Sequence, residues 1–449
     1  MELLWRLVAL VSAAAILAVG QPANAQAPAA ASERGRDYDV AFQDMMQQPA
    51  NLDVLFRFAT VAAKAGDYEG AVSALERMLL ISPDLPRVRL ELGVLYFRMG
   101  SYEIANTYLE TALASPSVPP DVRSRAEQFM AEIRKRQNPS RFFGEVFGGV
   151  RYQSNANLGP PTSSVRLFGQ TANLNQSSIG AADWGVLTSG YIRHVYDLGT
   201  QDRAAMETQL TGYVNRQFQI SAANVSIIDL TSGPRFQVLQ GIAEDVSVKP
   251  FFTGGYVWVN DTPFYGAFGS GLEVGSLLTD RLRNTSNFVW RRQLHPNTSY
   301  VPTNSQFTGW EYSGNTTFQY QVNELLSVFT NGNVQRFQTD NAPWQSYQLY
   351  GVGGGMSFRF ADPLFKSELA WSIGLSVNLQ WWTYDQPDIV VDPTVNRLQN
   401  DTILNITLAI PFDERTTLTV SAGRFVRSAS LPNYEFVNNS FLMGVGWRF

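Results

Sequence analysis

Two histidines, no cysteine and a scatter of carboxylates are what this chain of 449 residues offers to chemistry. An enzymatic centre needs a nucleophile, a base and an orienting group brought together. His194 and His295 stand near opposite ends of the strands that carry them, in the orientation that the loop lengths impose, so they cannot share a metal. Asp385 and Asp388 fall in one loop and offer at most a weak calcium site; solvated loop carboxylates are the commoner case. Without cysteine there is no disulfide, no thiolate metal site, no cysteine nucleophile and no lipid-modified amino-terminal Cys. The expectation is a protein that is not an enzyme and carries no cofactor. A formal net charge of -5 gives no support to a nucleic-acid partner. What remains is binding chemistry. Aromatic and cationic side chains recur at helical spacing in the first third, and Gly351, Gly353 and Gly355 line up on one face of a strand in the last third.

The elements that must position these residues follow from the period of the apolar pattern. Met1 to Ala25 reads as a secretory signal, with Arg6 at its positive end, an apolar run from Leu7 to Val19 and the small-x-small site Ala23-Asn24-Ala25 before Gln26. Residues 26–50 read as a leader, loose at least over the Ala- and Pro-rich Gln26 to Arg36. Beyond the signal no apolar run approaches the ~20 residues of a membrane helix. From Leu52 the period is helical and repeats. Phe58-Ala59, Ala62, Ala71, Leu75 and Pro83 return as Leu92-Gly93, Tyr96, Ala105, Leu109 and, one residue early, Pro116. The offset of about 34 residues resembles tetratricopeptide repeats, although Ala62 stands where that pattern has an aromatic. Ala71 and Ala105 allow two antiparallel helices to approach closely, and Gly66-Asp67-Tyr68 and Gly100-Ser101-Tyr102 are the turns between them. Two units leave stacking faces open. Asp121 to Arg136 supplies a cap through Val122, Ala126, Phe129 and Ile133, with basic residues elsewhere on it, and residues 51–137 form one domain. The repeat family holds peptides in a groove, and its groove positions carried onto this chain are Asp53, Phe56, Thr60 and Lys64, then Arg87, Leu90, Val94, Phe97 and Arg98. Leu90 and Val94 are equally readable as core. Phe97 and Arg98 are the stronger groove candidates.

After Gln137-Asn138-Pro139 the period becomes two. Strand-like segments begin near Phe143, Asp183, Ala204, Val225, Val246, Gly266, Leu282, Gly309, Leu325, Gln345, Glu368, Asp401, Thr416 and Glu435. In the last of them Phe441, Met443, Val445, Trp447 and Phe449 alternate with Gly444, Gly446 and Arg448, a greasy face opposite a thin one. A soluble sheet would have to cover that face; in a membrane barrel the lipid covers it. About fourteen strands over residues 142–449 give the even count of a bacterial antiparallel barrel. Tight turns at Gly199 to Arg203, Gly241 to Asp245, Asp280-Arg281, Asn323-Glu324 and Asp413 to Arg415 alternate with longer loops at Ser154 to Ala182, Pro296 to Phe307 and Gln386 to Arg397. Short turns face the periplasm and long loops the outside, which places both barrel ends and the helical domain on the periplasmic side of an outer membrane. Trp258, Trp290, Trp310, Trp344, Trp381-Trp382 and Trp447 mark interface girdles. Gly351, Gly353 and Gly355 point into the lumen, where they serve wall curvature or the passage of a substrate. The fold class is therefore a small all-α repeat domain followed by a transmembrane β-barrel.

A signal, two repeats and a barrel of this size together are similar to the surface lipoprotein assembly modulators, the Slam-type outer-membrane proteins. The sharpest local likeness is Phe147-Gly148-Gly149-Val150-Arg151-Tyr152-Gln153-Ser154-Asn155-Ala156-Asn157, with Gln153 where an acidic residue is common and Ala156 where a β-branched one is. The resemblance implies a translocator that exports or displays a surface lipoprotein or a secreted haem- or metal-capture protein. Its implied partners are that client, outer-membrane lipids and the barrel assembly machinery. Two other readings stay open at this point: an exopolysaccharide export porin, which ordinarily has longer repeat arrays, and a passive general porin.

Overall fold

The computed structural model describes residues 31–449 except 116–117, 201–203, 240–245 and 365–366. The expected secretory signal lies outside the described residues, as do parts of the turns expected at Gly199 to Arg203 and Gly241 to Asp245. One compact unit ends at Pro139 and a second begins at Ser140.

The first unit is helical: α1 (Ala31–Gln47), α2 (Leu52–Ala65), α3 (Tyr68–Ile81), α4 (Pro86–Arg98), α5 (Tyr102–Leu113) and α6 (Pro120–Gln137). Each boundary has a local cause. The Asn51 carboxamide oxygen accepts the Asp53 N–H at 3.1 Å and opens α2, and Gly66 closes it at φ +91, a conformation that costs glycine little. Asp67 then caps α3 through the Gly70 N–H at 2.9 Å. Ala71 and Ala105 are fully buried where the paired helices meet. A Cβ on Gly93 would lie 2.7 Å from the Leu109 side chain, so the second pair also depends on a small residue.

The leader reading needs correction over residues 31–47, which form α1. Tyr38, Ala41 and Met45 pack onto the core of the first repeat, and the Tyr38 hydroxyl donates to Asp67 at 2.6 Å. Tyr38, Ala41, Phe42 and Met45 lie at helical spacing, a stripe too short to stand out beside an Ala- and Pro-rich run. At the other end α6 is the expected cap, with Val122, Ala126 and Ile133 buried against Leu109 and its neighbours.

The second unit is a closed antiparallel barrel of fourteen strands. They are β1 (Ser140–Gln153), then β4 (Asp183–Asp197), β5 (Ala205–Gln217), β6 (Val225–Leu239), β7 (Val246–Val259), β8 (Thr262–Thr279), β9 (Leu282–Leu294), β10 (Gly309–Gln321), β11 (Leu326–Thr339), β12 (Tyr347–Phe360), β13 (Trp371–Tyr384), β14 (Leu398–Pro411), β15 (Thr416–Ala429) and β16 (Phe436–Arg448). A small hairpin, β2 (Ser164–Leu167) and β3 (Gln170–Asn173), lies in the loop between β1 and β4. The largest offset in strand starts is at β8, and smaller, equal ones are at β1, β13 and β14. β8 begins at Thr262 because Asn260 and Asp261, at φ +52 and +57, make a two-residue hairpin turn among the longer loops. The strand expected from Glu368 begins at Trp371, after a connection from Ala361 to Ala370 at the short-turn end.

Outward positions carry the apolar belt: Phe441, Met443, Val445, Trp447, Leu404, Ile406, Leu375 and Val377 are all exposed on the barrel's exterior. Trp290 and Trp381 join them, whereas Trp382, read as a girdle residue, is 4% exposed and faces inward. Among the described residues no helix is long and apolar enough to cross a membrane. The belt and the closed ladder fit an outer-membrane protein with a helical domain on its amino-terminal side.

Closure runs through β1 and β16, where Gly149 lies opposite Gly444. A Cβ on Gly149 would come within 2.7 Å of the Met443 carbonyl oxygen and 2.9 Å of Gly444 Cα, both backbone atoms that cannot swing away. Gly149→Val is expected to force the seam apart and reduce the folded barrel severalfold. The heat-modifiable band on an unboiled gel measures that loss; a wild-type band would show that the seam tolerates a side chain.

Candidate functional site

Inward-facing side chains divide the lumen into two halves. Toward the long loops they are buried on strand after strand: Gln217, Val259, Tyr265, Gln293, Glu311, Phe337, Tyr347, Trp382, Asp401, Arg427 and Asn438. Toward the short turns inward positions on β1, β9, β10, β12, β14 and β15, such as Glu145, Arg283, Thr317, Ser357, Thr407 and Thr419, are half-buried or exposed, whereas Val195, Glu207, Lys249 and Phe251 on β4, β5 and β7 are buried. The lumen is packed all round at its loop end and, outside the sector of β4 to β7, more accessible at its short-turn end.

Paired charges hold the packed half. Arg291 Nε donates to Glu311 Oε2 at 2.9 Å, with Asp229 a further 3.8 Å contact. Gln335 donates to the same carboxylate at 3.1 Å, and Gln293 donates to it as well. Asp401 accepts Arg427 Nε at 2.6 Å and the Trp382 indole N–H at 3.0 Å. Arg397, on the loop between β13 and β14, lies 3.6 Å over the Tyr434 ring and 4.1 Å from that of Tyr384. Lower in the lumen Arg235 bridges Glu207 at 2.8 Å and Glu273 at 2.6 Å, and Lys249 stands 3.3 Å from Glu207. Strand alternation sets these charges on the lumen face but does not name their partners. Pairing required the register that sets Asp401 opposite Arg427 and Arg291 opposite Glu311.

The loops seal the same end. Asn155 accepts the Gly159 N–H and donates to its carbonyl, each at 2.8 Å. Asn157 does the same with Ala181 and Ile179. The β2–β3 hairpin reaches the loop before β14, where Phe168 N–H donates to the Val390 carbonyl at 2.8 Å. It also reaches Asn433, which accepts the Arg166 N–H at 2.8 Å. Asp385, a candidate calcium ligand by sequence, takes both terminal nitrogens of Arg336 at 2.6 Å. His194 faces outward, stacked on Phe142 at 4.5 Å, and His295 is buried at the loop end beside Tyr265.

Gly351, Gly353 and Gly355 lie on the lumen face of β12, and their cause is local. A Cβ would lie 2.0 Å from Asn333 Oδ1 at Gly351, 2.1 Å from Asn378 Oδ1 at Gly353, and 2.4 Å from the Leu375 carbonyl oxygen at Gly355. They make room for their neighbours' atoms, principally asparagine side chains lying flat along the wall.

In the helical unit the groove residues part company. Leu90 and Val94 are core, in one buried cluster with Ala105, Leu109 and Ile133. Phe97 is half-buried between Tyr102 and Phe129, at ring distances of 5.7 and 5.4 Å, so helix stacking does use an aromatic there. Phe56 packs against the first core, and Arg87 pairs with Asp121 at 3.3 Å. Asp53, Thr60, Lys64 and Arg98 stay on the surface. A polar pair of rings escaped the sequence reading: Tyr96 and Tyr108 stack at 5.5 Å and both donate to Glu76. Burial, then the Glu76 carboxylate, pushes the Tyr96 phenol up to about 12.

The tetratricopeptide repeat profile matches residues 60–130. No curated protein matches the chain. Among solved structures, PcrH in complex with the chaperone binding region of PopD matches at 15% identity, over 30% of this chain and 92% of that one, with a TM-score of 0.22. SycD of Yersinia enterocolitica with a peptide of the translocator YopD matches at 12%, over 24% and 97%, TM-score 0.19. The TPR2B domain of yeast Sti1 in its pHsp70 complex matches at 14%, over 24% and 86%, TM-score 0.22.

Two outcomes follow from this geometry. Asp401→Ala leaves the buried Arg427 cation without its carboxylate, a loss of about 3–5 kcal/mol, and is expected to loosen the loop end and raise conductance in planar bilayers. Unchanged conductance would separate this pair from closure. Phe97→Ala is expected to cost the helical unit about 2–3 kcal/mol, since the ring is only half-buried, and Arg98→Ala less than about 0.5 kcal/mol. Urea unfolding followed by ellipticity at 222 nm discriminates them.

Proposed function

We propose that this chain is an outer-membrane translocator: its helical repeats gather a client protein and its barrel carries that client outward. The client class is a surface lipoprotein or a secreted haem- or metal-capture protein, as in the Slam-type proteins that the sequence resembles. The observation that carries the reading is the asymmetry of the lumen. Over most of its wall it is more accessible at the end where β1 begins, only Asn138 and Pro139 after the last repeat helix, and it is packed all round by loops and ion pairs at the other. A passage that opens for a client and otherwise stays shut would have this form. A passive porin needs an aqueous path along its whole length, and a packed mouth speaks against one. The reading assigns no catalytic step, no cofactor and no nucleic acid; its partners are the client, outer-membrane lipids and the barrel assembly machinery.

The test compares proteins released by protease shaving of intact cells with and without this chain. One or a few proteins are expected to lose surface exposure and to regain it on complementation. An unchanged surface proteome would end the translocator reading. Because Phe97 is part of the helical packing, the groove is best probed at its surface cations. Lys64→Ala with Arg98→Ala is expected to lower client display about two- to fivefold, in line with the ~0.2–1 kcal/mol of exposed charge contacts, at normal barrel levels.

A further inference from the structure

The packed half of the lumen contains a cavity of about 260 Å³, and one sector of its wall is made of side-chain amides. Register sets Asn287, Asn315 and Asn333 side by side on β9, β10 and β11, and continues through Gly351 to Gln380 on β13. The next row is Asn331, Gly353 and Asn378. The glycines explain the posture of the amides: any side chain at Gly351 or Gly353 would displace them. The belt thus lies flat and leaves the cavity free in front of it. Asn287 Oδ1 and Asn331 Oδ1 are buried without a hydrogen-bond partner, and buried polar atoms are rarely left so. Asn315, by contrast, is exposed to the lumen.

The chemistry of the cavity narrows its ligand. Its lining carboxylate, Glu311, is engaged by Arg291, and Asp401 behind the wall by Arg427, so neither is free to grip the vicinal hydroxyls of a sugar. Its rings are packed on one another: Tyr347 lies 5.7 Å from Phe337, 4.9 Å from Trp382 and 5.5 Å from Tyr384, which leaves little open face for a pyranose. Beside Ser313 and His295, the groups left over are carboxamides, each with a donor and an acceptor. That is the hydrogen-bonding complement of a peptide group, the same in every residue of a chain.

We propose that this amide belt is a sequence-independent site for the extended backbone of a polypeptide inside the lumen. The inference rests on the translocator reading for its biological occupant. It would let clients of different sequence use one passage, because recognition falls on the repeated peptide group.

The experiment uses the full-length protein in detergent micelles and isothermal titration. The probes are an acetylated, amidated twelve-residue peptide of Ser, Gly and Ala, and maltohexaose. The wild type is expected to bind the peptide and not the sugar. Asn315→Ala with Asn333→Ala should weaken peptide binding at least tenfold, whereas Thr419→Ala, on the lumen wall nearer the short turns, should leave it unchanged. If the double variant does not fold, Asn331→Ala alone serves, with a loss of at least threefold expected. No peptide binding by the wild type, equal binding by wild type and belt variants, or binding of maltohexaose instead of peptide would each overturn the proposal. Surface display of clients is a separate measurement: a belt that binds peptide in a protein with no client would sink the translocator reading and leave the site standing.

Discussion

A backbone amide facing lipid has no water to turn to, and each one left unpaired costs several kcal/mol. The barrel depends on that constraint. It requires that β1 and β16 find each other across the whole length of the barrel unit, and their ladder runs from Glu145 opposite Arg448 to Gln153 opposite Ser440. The last rung is made by the terminal residue: Phe449 N–H donates to the Gly144 carbonyl at 3.1 Å and Gly144 N–H to the Phe449 carbonyl at 3.2 Å. On the lumen face Arg448 meets Glu145 at 3.0 Å across the same seam. An even strand count follows, because only then do the first and last strands run antiparallel and end on one side.

Closure also fixes what the inside can be. With the apolar faces spent on the lipid, each inward position must be small, polar or charged, or else must pack on another inward ring. Charges enclosed in this way are stable only when paired. Arg291 with Glu311, Arg235 with Glu207 and Glu273, and Arg427 with Asp401 meet that demand across strands. Such pairs contribute little net stability relative to an apolar substitute, but breaking one is expensive. They are better suited to holding a shape than to adding to the depth of the fold. The loop end of the lumen, where two of the three lie, is where a shape has to be held.

How much of this was legible in the sequence depended on the range of the signal. Period-two alternation is local, so the strand starts at Asp183, Val225, Val246, Leu282, Gly309 and Thr416 coincide with those observed. Trp382 was misread because two adjacent tryptophans cannot both face lipid, and the alternation of β13 already assigned Trp381 to that side. The helical repeats were legible through Ala71, Ala105 and the turn glycines. The role of Phe97 was not, since its contact with Phe129 joins the second repeat to the cap and no spacing within the repeat encodes it. The lumen pairs were invisible for the same reason: Asp401 and Arg427 are adjacent only once the register is known. The glycine row was seen, but not the close neighbours that its sequence cannot show: asparagines at Gly351 and Gly353, and the Leu375 carbonyl and Phe329 ring at Gly355.

The stretch that carries the sharpest likeness to a known family, Ser154 to Asn157, has a structural job that changes what the likeness means. Ser154 pairs with the Asn439 backbone, its N–H donating to the carbonyl at 2.8 Å and its hydroxyl accepting the N–H at 2.8 Å. Asn155 and Asn157 then turn the first long loop back on itself. Neither asparagine points its amide at a ligand; each is consumed by backbone groups that would otherwise be buried unpaired. The motif is a bolt that fastens the first loop to the rim beside β16 and lets the β2–β3 hairpin reach the loops before β14 and β16. In this chain the motif therefore serves the closing of the barrel mouth. It leaves untouched the groove positions of the helical unit, where Asp53, Thr60, Lys64 and Arg98 remain exposed.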